Sequence, residues 1–99
     1  MQLLFSPLAQ SDLEDIGDYI ALDNPRRAQT FIQEIRTECQ KIVNTPLGFR
    51  LREDLAPGLR VLPFGRYLIF YRALASAVRI ERILHSARDL GPLFDIDPN

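Results

Sequence analysis

The residues of this sequence that could carry out chemistry are concentrated in its second half, around a single histidine. Six arginines accompany that histidine, His85: Arg60, Arg66, Arg72, Arg79, Arg82 and Arg88. Arginine can stabilise a phosphate group in a transition state, and histidine can protonate a leaving oxygen. The combination would allow metal-free cleavage of RNA, with His85 and Arg72 or Arg82 in catalysis. The alternative is structural: His85 bonds locally, Arg88 pairs with Asp89 or a carbonyl group, and the other arginines face solvent or a partner.

Other catalytic and metal-binding chemistries find little support in the residue types. Cys39 lies on the apolar stripe of a predicted helix, which is typical of a buried structural cysteine rather than a nucleophile. Ser86 follows His85 directly, and adjacent residues of a strand point to opposite faces, so no Ser/His dyad is expected. One Cys and one His cannot supply a Cys/His zinc site or an intramolecular disulfide. We therefore expect neither a metal nor a cofactor.

A second group of candidate residues is acidic and lies near the N-terminus. Four carboxylates recur there at helical spacing: Asp12, Glu14, Asp15 and Asp18. Acidic residues near a helix N-terminus are favourable in their own right. We therefore interpret the group as a solvated helix face and not as a catalytic carboxylate pair.

Charge is distributed unevenly over the 99 residues, although the formal net charge is only −1. Residues 1–44 carry four basic and seven acidic side chains, whereas residues 45–90 carry eight Arg and four acids. The tail, residues 91–99, adds two Asp. This balance argues against non-specific coating of nucleic acid, but it leaves an Arg-rich face for a specific partner.

Length and hydropathy predict a single cytoplasmic domain over residues 1–99, with 91–99 as a C-terminal tail. The longest strongly apolar run, residues 67–71, is far shorter than the ~20 residues that span a bilayer. Residues 1–5 lack the basic start of a signal peptide. Contact with a membrane is therefore not expected.

Apolar spacing predicts two helices, over residues 7–22 and 25–44. Each begins with a capping residue and a proline, namely Ser6-Pro7 and Asn24-Pro25. The short connection between the helices predicts an antiparallel helical hairpin. A short apolar run over residues 2–5 predicts a strand before the first helix.

Beyond residue 45 the apolar period changes from helical to alternating, which predicts three strands joined by two hairpins, over residues 59–63, 67–71 and 78–85. The order β-α-α-β-β-β predicts an α+β domain, with the N-terminal helical hairpin packed on one face of a small antiparallel sheet. The first strand is expected at a sheet edge. Strict alternation in the last strand places Arg79, Glu81, Ile83 and His85 on one face, and Val78, Ile80, Arg82 and Leu84 on the other.

The middle strand, residues 67–71, is apolar or aromatic at every position, so both of its faces should be covered. The helices can cover only one face. Either the tail folds back over the other or a partner binds there. The apolar residues of the tail that could do so are Leu90, Pro92, Leu93, Phe94 and Ile96.

Two blocks of the sequence resemble the ParE branch of the RelE/ParE superfamily, the toxins of type II toxin–antitoxin systems. They are residues 67–72 (YLIFYR) and 80–89 (IERILHSARD). Residues 6–9 (SPLA), residues 12–16 (DLEDI) and Asn24-Pro25 with Ala28 fit as well. The resemblance covers residues 3–90, and the fold it implies is the helical hairpin on a small sheet described above.

The resemblance implies an activity against DNA gyrase. ParE-like toxins are thought to trap the DNA-cleavage complex of gyrase and so block replication, without bond chemistry of their own. RelE-like relatives cleave mRNA in the ribosome instead, and that alternative requires Arg72, Arg82 and His85. The run over residues 84–89 favours the ParE branch. The expected target-binding region comprises Arg60, Tyr67, Arg72, Arg82, His85, Arg88 and Asp89.

The resemblance also implies a ParD-like antitoxin that folds onto the toxin and forms a hetero-oligomer with it. Its apolar side chains would meet Leu68 and Phe70. Its carboxylates would meet Arg60 and Arg79, because guanidinium groups pair well with carboxylates. Contact with DNA would be indirect, through gyrase or the antitoxin.

Overall fold

The computed structural model describes residues 1–88 and 90–94. Its strands and helices follow in chain order: β1 (Gln2–Phe5), α1 (Pro7–Ala21), α2 (Pro25–Asn44), β2 (Arg50–Leu51), β3 (Leu59–Phe64), β4 (Tyr67–Ala73), β5 (Ala77–His85) and a short 3₁₀ helix (Pro92–Phe94). The predicted helical hairpin and the α+β class are confirmed. The two-residue strand β2 was not predicted. No helix within the described ranges has the length and apolar character needed to cross a membrane.

Both helices begin where the capping residues predict. The Ser6 hydroxyl accepts a hydrogen bond from the Ala9 N–H at 3.0 Å. The Asn24 side chain accepts one from the Arg27 N–H, also at 3.0 Å. Each bond satisfies an N–H group that has no partner within the helix, which determines where the helix starts.

The five strands form one sheet in the order β1-β5-β4-β3-β2. Strands β3, β4 and β5 make the predicted antiparallel meander, and β1 lies at an edge, as expected. However, β1 runs parallel to β5, with Gln2 opposite Ala77 and Phe5 opposite Ile80. The sheet is therefore mixed, whereas the sequence predicted a small antiparallel sheet and left the direction of the edge strand open. The helical hairpin lets the chain cross back before the meander begins, so β1 pairs with the last strand in the same direction.

A β-bulge changes which residues of β5 share a face. Phe70 lies opposite Arg82 and Tyr71 lies opposite Ile80, so Glu81 is an extra residue in β5. One inserted residue shifts the alternation by one position. The prediction that Ile83 shares a face with Arg79 and Glu81 is therefore wrong: Ile83 belongs to the core under the helices.

Apolar clusters cover both faces of the sheet. On the helix face, the side packed by α1 and α2, buried residues include Ile35, Ile42, Ile69, Tyr71, Val78, Ile80 and Ile83. On the second face, the opposite side, the cluster consists of Leu55, Leu59, Val61, Phe70 and Leu84. Leu90, Leu93 and Phe94 pack against this second cluster, so the C-terminal segment covers this face of the middle strand, as one of the two predicted arrangements has it. Of the other two tail residues expected there, Pro92 is exposed and Ile96 lies outside the described residues.

Candidate functional site

Arg82 is held by a carboxylate of α1. Its Nε and Nη2 donate to the two Asp12 oxygens at 2.8 and 2.9 Å. Asp12 Oδ2 also accepts from the Ile83 N–H at 2.9 Å, and the residue is only 8% exposed. The prediction that Asp12 lies on a solvated helix face is therefore wrong. The hydrogen bonds to Asp12 raise the pKa of Arg82, so its guanidinium group stays charged.

Ser6, like Asp12, forms hydrogen bonds with backbone groups at the edge of β5. Strand β1 ends at Phe5, and beyond that point β5 has no neighbouring strand on this side. The Ser6 N–H donates to Ile80 O at 2.9 Å, and its hydroxyl donates to Glu81 O at 2.8 Å. Together with the Asp12 contact, these bonds satisfy the open edge of β5 with groups from the start of α1.

Arg72 and Arg79 form an unusual pair on the second face. They lie directly opposite each other in the antiparallel ladder, where like charges are destabilising. Glu81 compensates: it forms an ion pair with Arg79 and lies 3.4 Å from Arg72 Nη1. Arg72 Nε also donates to Pro57 O at 3.1 Å. Glu81 follows Arg79 by two residues along β5, and its carboxylate lies between the two guanidinium groups.

His85 lies at the other end of β5, on the helix face. It is opposite Tyr67 in the ladder, and the two rings meet edge to face with centroids 5.4 Å apart. His85 Nδ1 accepts a hydrogen bond from the Ala87 N–H at 3.1 Å. In the neutral imidazole the proton therefore resides on Nε2. Tyr67, His85 and Arg88 line one side of a cavity of about 140 Å³ between the sheet and α1.

The three residues of the candidate nuclease site are not brought together. Arg72 shares the second face with Phe70, whereas His85 shares the helix face with Ile83. Arg82 is committed to Asp12. A general acid or base must lie within hydrogen-bond reach of the substrate atom that it serves, and side chains on opposite faces of a sheet do not converge on one substrate.

The expected target-binding region divides into separate places. Arg60 lies in β3, where its Nη1 donates to Phe49 O at 2.8 Å and supports the loop before β2. Arg72 and Arg82 have the structural contacts given above. Tyr67, His85 and Arg88 are the members that the structure brings together. Asp89 lies outside the described residues.

The four expected antitoxin contacts differ in accessibility. Phe70 is completely buried, with the Phe94 ring centroid 4.9 Å from its own. Leu68 is partly buried beside the same segment. Arg79 and Arg60 are half-buried and engaged with Glu81 and backbone carbonyls, respectively. A partner could reach Phe70 only by displacing the C-terminal segment.

The sequence interpretation missed Tyr19, which is 71% exposed and lines the same cavity as Tyr67 and His85. The sequence does contain an indication that Tyr19 is exposed. Tyr19 falls outside the apolar spacing of α1, so a large aromatic ring was to be expected on the solvent side of the helix.

Cys39 and the acidic residues do not form a second reactive site. Cys39 is fully buried, as predicted. Burial raises the pKa of its thiol to about 12, so it remains protonated and a poor nucleophile at neutral pH. In the part of the chain that the structure describes, no three His, Cys, Asp or Glu side chains are placed to hold a metal ion.

Comparison with known proteins assigns the chain to a class, the toxins of type II toxin–antitoxin systems. The family model described as "ParE toxin of type II toxin-antitoxin system, parDE" matches residues 3–90. The chain therefore belongs to the ParE toxin family, and the predicted resemblance is confirmed.

Two curated relatives and a solved structure agree with this membership. The chain is 28% identical over 92 residues to Toxin ParE1 of Mycobacterium tuberculosis, in both strain CDC 1551 / Oshkosh and strain H37Rv. The match covers 88% of this chain and 91% of the relative. A chain of the chromosomal ParDE TA system from P. aeruginosa superposes with a TM-score of 0.74 at 25% identity, covering 86% of this chain and 95% of that one.

Proposed function

We propose that this ParE-family toxin inhibits DNA gyrase by trapping its DNA-cleavage complex, which blocks replication and arrests growth. The observation that carries the proposal is the match of the ParE toxin model to residues 3–90. Action on gyrase is what the ParE branch implies. Because gyrase works on chromosomal DNA, we expect the toxin to act in the cytoplasm.

We further propose that the toxin acts by binding and not as an enzyme. Arg72 and His85 lie on opposite faces of the sheet, and Arg82 is tied to Asp12. This separation supports a poison that holds its target over a ribonuclease of the RelE type. The comparisons likewise lend no support to the RelE alternative.

We expect gyrase to contact the end of the sheet that carries Tyr67, His85 and Arg88. These side chains converge on one cavity and are partly or fully accessible. Arg60, Arg72 and Arg82 belong to the predicted target region too, but each already has contacts within the chain. We therefore expect substitutions of these three to affect folding before they affect target binding.

Supercoiling and cleavage assays with purified gyrase test this proposal. We expect the toxin to reduce supercoiling and to increase the amount of cleaved DNA that detergent treatment reveals. Arg88→Ala should weaken both effects, whereas Arg50→Ala, an exposed arginine on β2 at the far edge of the sheet, should not. Wild-type toxin that leaves supercoiling and cleavage unchanged would rule out gyrase as the target. Cuts in ribosome-bound mRNA that disappear in His85→Ala would establish the nuclease instead.

We also propose a ParD-like antitoxin as the partner that neutralises the toxin. The structural neighbour comes from a ParDE system, which supports such a partner. Its apolar side chains are expected at Leu68 and, where the C-terminal segment is displaced, at Phe70. Its carboxylates are expected at Arg60 and Arg79, where guanidinium groups offer paired donors.

Co-expression with a small protein encoded beside the toxin gene tests for the antitoxin. We expect the two proteins to copurify, and titration calorimetry should show weaker binding for Arg79→Ala than for the wild type. Arg26→Ala is the matched control, since Arg26 is an exposed arginine at the start of α2 and distant from the sheet's second face. Equal affinities of the two variants would contradict the proposed role of Arg79.

A further inference from the structure

Aromatic rings form a continuous row at the end of the sheet that carries His85. Ring centroids lie 5.7 Å apart for Phe64 and Phe31, 5.6 Å for Phe31 and Tyr67, and 5.4 Å for Tyr67 and His85. The first three rings help to anchor α2 on the sheet. The row ends at the cavity of about 140 Å³, where Tyr19 of α1 forms the opposite wall. Tyr67 and His85 are each only partly buried there.

Two arginines flank this end of the row. The Ser86 N–H donates to Arg66 O at 2.8 Å, and the Arg88 N–H donates to His85 O at 3.1 Å, so both arginines lie next to His85. Their side chains are exposed, and among the described residues neither guanidinium forms an ion pair. The two positive charges are therefore available to an anionic ligand.

The acidic residues near the cavity offset only part of this charge. Asp12 lines the cavity, but its carboxylate is already paired with Arg82. Asp15 lines it as well and is exposed, which leaves its carboxylate free to accept hydrogen bonds. Since Ala87 occupies His85 Nδ1, the neutral ring offers Nε2–H as a donor. The cavity thus combines aromatic walls, one acceptor, one donor and the Arg88 cation, while Arg66 lies in the adjacent turn, where its carbonyl accepts from the Ser86 N–H.

We propose that this aromatic end, defined as Tyr19, Tyr67, His85, Arg66 and Arg88, binds single-stranded DNA. An unpaired base enters the cavity and stacks on the tyrosine rings, while the two arginines contact flanking phosphates. The inference rests on the proposed function, because a gyrase cleavage complex holds broken DNA, and it replaces the indirect DNA contact expected from sequence with a direct one.

General features of nucleic-acid recognition support this choice of ligand. Proteins bind single strands by combining a positive surface with aromatic side chains on which bases stack. Stacking accepts any base, because every base has a π-face. Guanidinium groups match phosphate geometry. The cavity has a volume of about 140 Å³. A base within a duplex would have to be unstacked and unpaired before it could enter.

Fluorescence anisotropy with a labelled oligonucleotide of about 12 nucleotides tests the inference. The purified full-length chain is titrated against single-stranded DNA, the blunt duplex of the same sequence and the corresponding RNA. We expect the single strand to bind at least about tenfold more tightly than the duplex, for which unpairing adds to the cost. Two phosphate contacts predict a slope of about −1.4 in a plot of the logarithm of the affinity for the single strand against the logarithm of the salt concentration.

Variants identify the residues involved. Tyr19→Ala should weaken binding of the single strand at least about fivefold, without changing the thermal unfolding midpoint, since Tyr19 is 71% exposed. Leu22→Ala is the matched control, because Leu22 is 82% exposed at the same end of α1. Arg66→Ala should reduce the magnitude of the salt slope by about 0.7, and Arg50→Ala should leave it unchanged.

Several results would overturn the inference: no binding of the single strand, equal affinity for the duplex, tighter binding of the RNA, or equal affinities of Tyr19→Ala and Leu22→Ala. The assay contains no gyrase, so its failure is distinct from failure of the proposed function. Gyrase inhibition without binding of the single strand overturns the DNA site alone. Binding of the single strand without gyrase inhibition overturns the gyrase proposal and supports the DNA site.

Discussion

Asp12 of α1 and Arg82 of β5 form a bidentate ion pair that joins the helical hairpin to the sheet across 70 positions of sequence. The same Asp12 carboxylate accepts the Ile83 N–H, so it also takes the place of a neighbouring strand. From the sequence, Asp12 was expected on a solvated helix face and Arg82 in the target-binding region. The two residues instead pair with each other and position α1 on β5.

Asp12→Ala should lower the free energy of unfolding by about 3 kcal/mol, because it leaves the Arg82 guanidinium without its partner in a mostly buried position. Urea denaturation measures the change. Glu14→Ala provides the matched control, since Glu14 is an exposed acid on the same helix and should stay within about 0.5 kcal/mol of wild type. If Asp12→Ala were as stable as Glu14→Ala, the ion pair would not stabilise the fold.

Two glycines should respond to alanine in opposite directions. Gly65 begins the two-residue turn between β3 and β4 with a φ of 58°, so Gly65→Ala should cost about 1 kcal/mol through backbone strain. Gly17 lies within α1, and an added Cβ would meet Ile32 at 3.7 Å, an ordinary contact. Gly17→Ala should therefore stabilise the protein by about 0.5–1 kcal/mol. The thermal unfolding midpoints of both variants test these two expectations. Midpoints that shift in the same direction would contradict them.

The C-terminal segment should contribute measurably to stability through Phe94. Its ring meets that of Phe70 edge to face, and Phe94→Ala should cost about 1–2 kcal/mol. Phe70→Ala should cost about 3–5 kcal/mol, because Phe70 is fully buried. Urea titrations of both variants are compared with Leu47→Ala, a 70% exposed control. If Phe94→Ala were as stable as Leu47→Ala, the packing of the C-terminal segment on the second face would not stabilise the protein.

Cys39 should make the protein less stable in alkali. Its folded thiol has a pKa of about 12, against 9.0 for an ordinary thiol. From about pH 9 upward the unfolded chain loses the proton that the folded chain keeps, so stability falls across this window until about pH 12. The test is to measure the unfolding free energy of the wild type and of Cys39→Ala between neutral pH and pH 10. We expect this free energy to fall more steeply with pH in the wild type than in the variant. Parallel slopes would mean that the thiol titrates normally in the folded state.

The order of elements and the helix boundaries could be predicted because they depend on local signals. Ser6 and Asn24 each cap the turn that follows them, and the apolar period changes from helical to alternating where the helices give way to strands. The ParE resemblance likewise came from short blocks of sequence and was confirmed by a match over residues 3–90. The uniformly apolar strand β4 correctly indicated that its second face is covered.

What only the tertiary structure decided are the relationships that depend on register. The bulge at Glu81 shifts the faces of β5, separates Arg72 from His85 and moves Ile83 into the core. The parallel pairing of β1 and the burial of Asp12 follow from how the helical hairpin returns the chain to the sheet edge. Such contacts join residues about 70 positions apart. Their geometry depends on one-residue shifts that leave local propensity unchanged, and for that reason the pattern of side chains alone could not specify them.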